Sequence, residues 1–493
     1  MKKPLSALLV TAMFVGLLTG CSQIGPKEGQ PEDVEPDVPE SEVQDGQKEL
    51  KQPEPSMDKA YTLTVDPNYE SALVYTVQRN SGDPVLNMGL TGDIKMPAQR
   101  GFSFVSWCYD AQGAEPVGET DILDGDATIY AKWEAWDEDT KAWMDLVLAE
   151  AEQARYICNR PTAYTKESFE TYQGLSAPIM FLTMGGSVFP KEMEGLIYGV
   201  ADARQKLELA PGISDPEESI WYIWGEDMPQ APEAGQYNYY GTWDNEGFAP
   251  FLVPYMLADQ SQVKGNLILV SGGGFQQRAN RWEGYPGAEI FNGLGYNCFV
   301  LQRRVEPSTP VDSGLDLQRA VRYLKYHADD YGIARIDNLA AAGYSGGGTT
   351  VQIAVEQFYG DIQPTVIYSD YRCDEVDAMN SDLSTMILIY SAQPLETDNP
   401  NIPDAFVVNG TEDEYVSLYD NSYEAVKYYR EKGVRYEIHF FADAAHGFGQ
   451  GFGLNATSYT DEDVKNVKIW PSLADTFMQI QYGEIQNIET IEQ

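Results

Sequence analysis

The spacing of apolar residues changes several times along the chain, and each change marks a boundary. Behind Lys2 and Lys3, Leu5 to Leu18 is an almost unbroken apolar run. It is too short for a bilayer span, which needs about 20 apolar residues, and reads as an export leader. From Pro26 to Asp58 the chain is rich in Pro, Glu, Asp, Gln and Ser. Such a stretch buries too little surface to offset its conformational entropy and forms a charged, extended tether. Tyr61–Val65, Gly101–Tyr109 and Ala127–Trp133 then alternate apolar and polar positions, the period of half-buried strands, so a small all-β unit is predicted. Helical spacing takes over at Thr140, with Trp143, Leu146, Val147 and Ala151 on one face. A second helix is predicted from Tyr164-Thr165 and a third over Pro190–Leu207. Beyond Ser219 short apolar strands (Asn266–Val270, Tyr296–Leu301, Leu339–Gly343, Met386–Tyr390, Ala405–Val408, Tyr436–Phe441) alternate with helical stripes such as Leu317, Ala320, Val321 and Leu324. That order predicts an α/β fold, a mainly parallel sheet with helices on both faces.

The boundaries expected are therefore a leader over 1–21, an acidic linker over 22–58, a β unit over 59–135, a helical unit over 138–209 and an α/β domain over 218–493. Across 493 residues, 33 Lys and Arg face 76 Asp and Glu, a net charge of −43. This charge argues against nucleic acid and anionic lipid head groups as partners, since neither finds a basic patch. Apart from Cys21, the cysteines at 108, 158, 298 and 373 are widely spaced and lack the C-x-x-C spacing of zinc or redox sites. They read as free thiols, although an exported chain permits a disulfide. The leader ends in Leu18-Thr19-Gly20-Cys21, which resembles a bacterial lipobox. The resemblance implies lipidation of Cys21 and anchoring at the outer face of the cell membrane; the other reading is an ordinary cleaved leader. Gly101-Phe102-Ser-Phe104-Val-Ser-Trp107, Tyr109, Gly113 and Ile129-Tyr-Ala-Lys-Trp133 resemble the internalin-type surface repeat, a small β-grasp module whose aromatics would form its own core. Tyr164-Thr165-x-x-Ser168-Phe169 looks like the start of a FIVAR-type three-helix module, and a helical extension packed on the third unit is the alternative. Either module could contact cell wall or cell surface.

Chemistry concentrates in the last unit. Strand Asn266–Val270 runs into Ser271-Gly-Gly-Gly-Phe275, where backbone N–H groups can closely approach a ligand. Leu339–Gly343 leads into Gly343-Tyr344-Ser345-Gly346-Gly347, a G-x-S-x-G turn between strand and helix that pushes a serine hydroxyl outward. The Gly346 N–H could join that of Gly273 or Gly274 around a developing oxyanion. The fold requires the chain order serine, acid, histidine. Asn409-Gly410-Thr-Glu412-Asp413 leaves a strand and offers Asp413, preferred to Glu412 and Glu414 because it follows Gly410 by three residues. Only three histidines exist. His327 is predicted on a helix and His439 within a strand, both as structural residues, which leaves His446 in its loop as the base.

Together, Ser271–Phe275, Gly343–Gly347, Gly410–Asp413 and His446-Gly-Phe448 resemble the esterase and acetyl-xylan-esterase-like branch of the α/β hydrolases, from about Ile220 onward. The resemblance implies an ester substrate, with acylated carbohydrate as one class, and a Ser345–His446–Asp413 acyl-enzyme mechanism that needs no metal or cofactor. Ser271 stands where the related hormone-sensitive-lipase branch has histidine, which counts against a close lipase relationship. Trp282-Glu283-Gly284 looks similar to a Glu-Gly pair of the acetyl-xylan-esterase-like branch, and either lines the pocket mouth or forms a surface turn. Phe275, Glu283 and Tyr344 are accordingly expected at the substrate. The long connection 360–383 is either part of the cleft or an acidic solvated loop. Two rival functions remain: a prolyl-oligopeptidase-like peptidase, disfavoured because nothing repeats like propeller blades, and a non-catalytic surface adhesin.

Overall fold

The computed structural model describes residues 60–70, 72, 74–88, 94, 96–184, 188–225, 227–229, 247–397, 399, 401–449 and 466–484. The leader with Cys21 and the acidic segment 22–58 lie outside them.

The first unit is a four-stranded sheet of β1 (Ala60–Asp66), β2 (Tyr75–Asn80), β3 (Phe102–Cys108) and β4 (Ala127–Ala135), in the order β2-β1-β4-β3. Its central pair, β1 and β4, is parallel, and β2 and β3 flank it antiparallel. Alternate positions Leu63, Val65, Trp107, Ile129 and Ala131 close the core, as the period of two requires. Phe104 and Trp107 meet edge to face at 5.5 Å, and Phe104 meets Trp133 at 5.9 Å, so these aromatics pack on one another. Strand β2 escapes the sequence pattern because Tyr-Thr-Val-Gln-Arg-Asn is largely polar and half of it is exposed.

Three helices follow: α1 (Glu138–Cys158), α2 (Lys166–Met184) and α3 (Glu194–Gln205). Asp137 caps α1 by accepting the Thr140 N–H at 2.7 Å. The three share a core of Trp143, Met144, Val147, Ala151, Phe169, Tyr172, Ile197 and Val200. The unit also packs on the domain that follows. Arg160 is 6% exposed and pairs with Glu217 at 2.8 Å; its guanidinium lies over Tyr156 at 3.8 Å and over Phe251 at 5.6 Å.

The third unit is an eight-stranded sheet of β5 (Trp221–Tyr222), β6 (Phe251–Tyr255), β7 (Gly265–Val270), β8 (Tyr296–Gln302), β9 (Leu339–Tyr344), β10 (Thr385–Ile389), β11 (Asp404–Glu412) and β12 (Tyr436–Ala445). The order is β12-β11-β10-β9-β7-β8-β6-β5, with β7 to β12 mutually parallel and β6 antiparallel to its neighbours. The sequence pattern misses β5 and β6: one is two residues long, and Pro254 in the other argues against a strand. Ile268, Val270, Ala341, Leu388 and Val407 point to one face, against α5 (Pro310–Tyr326), α6 (Gly346–Phe358) and α7 (Glu424–Lys432). Leu267, Leu269, Ala342, Ile389 and Val408 point to the other, against α4 (Gly284–Gly293) and α8 (Trp470–Gln481). Both faces are thus covered, which is why these strands read as continuous apolar runs.

The connection 360–383 is tied down. Arg319 of α5 pairs with Asp374 at 2.5 Å and with Asp377 at 3.2 Å, and Tyr371 donates to Asp377 at 2.7 Å. With residues 227–229, its segment 367–372 lines a cleft of about 560 Å³ that includes none of Ser345, Asp413 and His446. The cysteines at 108, 158, 298 and 373 are free thiols, the first three buried.

Candidate active site

In an open α/β sheet a crevice forms beyond the carboxyl ends of the strands where the connections diverge. Here β8 lies on one side of β7 and β9 on the other, so the segments after β7 and β9 flank such a crevice. Ser345 follows β9 directly with φ 49° and ψ −124°, a strained conformation for a residue with a Cβ. The glycines around it are sterically compelled. A Cβ on Gly343 would sit 2.4 Å from the Gly347 carbonyl oxygen, and one on Gly347 only 2.0 Å from that of Val270. The Ser345 N–H donates to the Ile389 carbonyl at 2.9 Å, and its own carbonyl accepts from Gly348 and Thr349 at the start of α6. The hydroxyl stays at the surface of the turn, over a helix N-terminus.

Strands β11 and β12 bring the other two groups. His446 Nε2 lies 2.9 Å from Ser345 Oγ. Its Nδ1 lies 3.0 and 2.9 Å from the two Asp413 oxygens. The Asp413 carboxylate is wholly buried and also accepts the N–H groups of Tyr415 and Val416, each at 2.9 Å. These amides stabilise its charge and fix its plane, so Nδ1–H is the tautomer that satisfies both partners. Glu412 bonds Thr411 instead. The other histidines pair locally, His327 with Asp330 and His439 with Glu437.

The glycine run passes beside the serine: a Cβ on Gly272 would lie 2.9 Å from Ser345 Cβ, and one on Gly346 3.4 Å from the Gly274 nitrogen and 3.6 Å from that of Phe275. Gly273, Gly274 and Phe275 all have positive φ, so the run curls tightly where it passes the serine. The Phe275 amide, unanticipated from sequence, belongs to the same group as that of Gly274.

Two expectations are corrected. Glu283 neither lines a pocket mouth nor sits in a surface turn; it is 5% exposed, and its carboxylate accepts the Gly272 N–H and the Tyr390 O–H, each at 2.7 Å. Burial raises its pKa above the ordinary carboxylate value, opposed by these two hydrogen bonds and by the charges of His446 and Arg303. It supports the glycine run from beneath. Tyr344 does not reach a substrate either: its side chain is fully buried and meets Trp470 edge to face at 6.2 Å. It falls on the same face of β9 as Ala340 and Ala342, the face covered by α4 and α8. Phe275 lies half-buried, with the Arg303 guanidinium 4.8 Å from its ring centre. Tyr390 was missed. It follows β10 with φ 41°, bonds Glu283 and packs its ring 4.9 Å from that of His446. Its position at the carboxyl end of a central strand was the available signal.

Sheet order, helices on both faces and the strand-turn-helix at Ser345 place this domain in the α/β-hydrolase fold class. No family model matches the chain, and no curated protein matches it. Among solved structures it is similar to an acetyl ester-xyloside bifunctional hydrolase from Caldicellulosiruptor lactoaceticus, at 23% identity and a TM-score of 0.43, over 54% of this chain and 97% of that one. A thermophilic esterase from Thermogutta terrifontis is 20% identical with a TM-score of 0.40, over 49% and 93% of the two chains. An α/β hydrolase from a Medee basin deep-sea metagenome library is also 20% identical, with a TM-score of 0.39, over 48% and 94%.

Proposed function

We propose that this protein is a serine carboxylesterase acting on small acyl esters through Ser345, His446 and Asp413. What carries the reading is the continuous hydrogen-bonded chain from the Asp413 carboxylate through both nitrogens of His446 to Ser345 Oγ. Ser345 Oγ attacks the ester carbonyl while Nε2 takes its proton; Asp413 holds the ring and offsets the charge of the imidazolium. The amides of Gly274 and Gly346, with Gly273 beside them, receive the negative oxygen, and one such donor is worth ~10²-fold or more in rate. The proton then passes from Nε2 to the leaving alkoxide. Water, deprotonated by His446 in turn, releases the acid and restores the serine.

Acetyl groups on carbohydrate are the substrate class suggested by the motif resemblance. In this reading the mature chain is lipidated at Cys21 and held at the outer face of the cell membrane, and the N-terminal units contact the envelope or its surroundings.

The test uses p-nitrophenyl acetate and a reactive organophosphate on the full chain. Hydrolysis should fall on the order of 10⁶-fold in Ser345→Ala, and mass spectrometry should find one phosphoryl adduct, on the peptide containing Ser345. Equal rates in the two proteins, or an adduct elsewhere, would revive the adhesin reading.

A further inference from the structure

Three exposed tyrosines follow Asp413 at four-residue intervals. Tyr415 is 54% exposed although its ring lies 5.0 Å from that of His446. Four residues on, Tyr419 is 76% exposed; four further, Tyr423 is 44% exposed, with the two rings 5.5 Å apart. Tyr423 in turn meets Phe440 of β12 at 5.6 Å. A solitary exposed ring is ordinary on a protein surface. A packed pair of exposed rings, Tyr419 and Tyr423, a few residues beyond a third exposed ring that lies against the histidine bonding the reacting hydroxyl, is not.

The backbone holds these rings in place. The turn that delivers the Tyr415 and Val416 N–H groups to Asp413 also sets the direction of the Tyr415 ring. The next segment, Leu418–Tyr423, is a π-helical turn capped by Ser417, a rare local form found frequently at functional sites. Among the described residues none of the three phenolic hydroxyls has a hydrogen-bond partner, so each offers both an apolar face and an unused polar edge.

The surroundings narrow the occupant. Glu412, Glu414, Asp420 and Glu424 are exposed around the rings, and Lys427 is paired with Glu424. A polyanion would be repelled there. Val416 and Leu418 are only half-exposed, so the patch offers rings and hydroxyls with little aliphatic surface for an acyl chain or a bilayer. A neutral glycan fits: the axial C–H faces of its sugar rings stack on aromatic faces, and its hydroxyls bond phenolic O–H groups. We infer that Tyr415, Tyr419 and Tyr423 form a binding platform for a neutral, acylated glycan chain, along which the polymer lies while one of its esters reaches Ser345. The inference rests on the esterase reading and extends it from a small ester to a polymer held by several sugar units.

The experiment compares the full chain with a Tyr419→Ala, Tyr423→Ala double variant on acetylated xylo-oligosaccharide and on p-nitrophenyl acetate. Tyr415, which touches His446, is left intact. The ratio of kcat/KM on the oligosaccharide to that on the small ester should fall about tenfold, through KM, as expected for the loss of two ring contacts. The Tyr419→Phe, Tyr423→Phe variant, which keeps the faces, should recover most of the ratio. An unchanged ratio in the alanine variant would overturn the platform. Calorimetric binding of the same oligosaccharide to Ser345→Ala separates the two ideas. Tyrosine-dependent binding, combined with an unmutated chain that hydrolyses neither substrate, would sink the esterase and keep the platform. Binding that ignores the tyrosines, or that prefers a polyuronate to the neutral oligosaccharide, would remove the platform alone.

Discussion

Glu283 shows how much of a site can rest on a residue that touches no substrate. Its carboxylate is shared between the amide of Gly272 and the hydroxyl of Tyr390, one in the glycine run and the other packed on His446. Because burial raises its pKa, the folded state holds this proton more tightly than the unfolded chain does. The resulting stabilisation is complete below the unfolded pKa and is lost as pH climbs through the folded one. Glu283→Gln removes that dependence. Urea unfolding at steps between about pH 5 and pH 8 should therefore show the stability difference shifting in favour of the glutamine variant as pH rises; a difference flat with pH would refute the raised pKa. Residue 283 was found by its motif yet misjudged in role, since neighbours in sequence reveal proximity and not the direction a side chain faces. For Tyr344 the direction was not legible either: β9 is buried on both faces, Leu339 and Ala341 on one and Ala340 and Ala342 on the other, so alternation alone does not separate core from site.

At the scale of elements, the strand-turn-helix around Ser345 was readable because sterics leave few alternatives. Gly347 packs so closely under the Val270 carbonyl that a methyl group there would have to displace β7 or α6. Gly347→Ala should cost about 3 kcal/mol, near the upper end for overpacking, and thermal unfolding by circular dichroism will measure it. A change within error would mean the turn relaxes freely. The parallel strands β7 to β10 were equally legible, being buried on both faces and hence almost continuously apolar. Strands β2, β5 and β6 were not, because polar composition, a two-residue length and an internal proline hide the period. The tyrosine row after Asp413 carried no sequence signal of its own; its meaning depends on which ring approaches His446.

For the whole molecule, the helical unit proves to be braced against the sheet through Arg160, whose cation is enclosed between Tyr156 and Phe251 and paired with Glu217. That contact protects the β5–β6 margin. The opposite margin is built differently. There, among the described residues, β12 pairs on one side only, and it is β11 and β12 that carry Asp413 and His446, while Ser345 follows an interior strand. Fraying begins where cooperative contacts are fewest. Gentle heating should therefore extinguish ester hydrolysis several degrees before the far-ultraviolet signal changes; coincident curves would mean that the border and the interior melt as one unit. A nucleophile set in bedrock and a proton relay built on a shoreline would make turnover the earliest alarm of thermal damage.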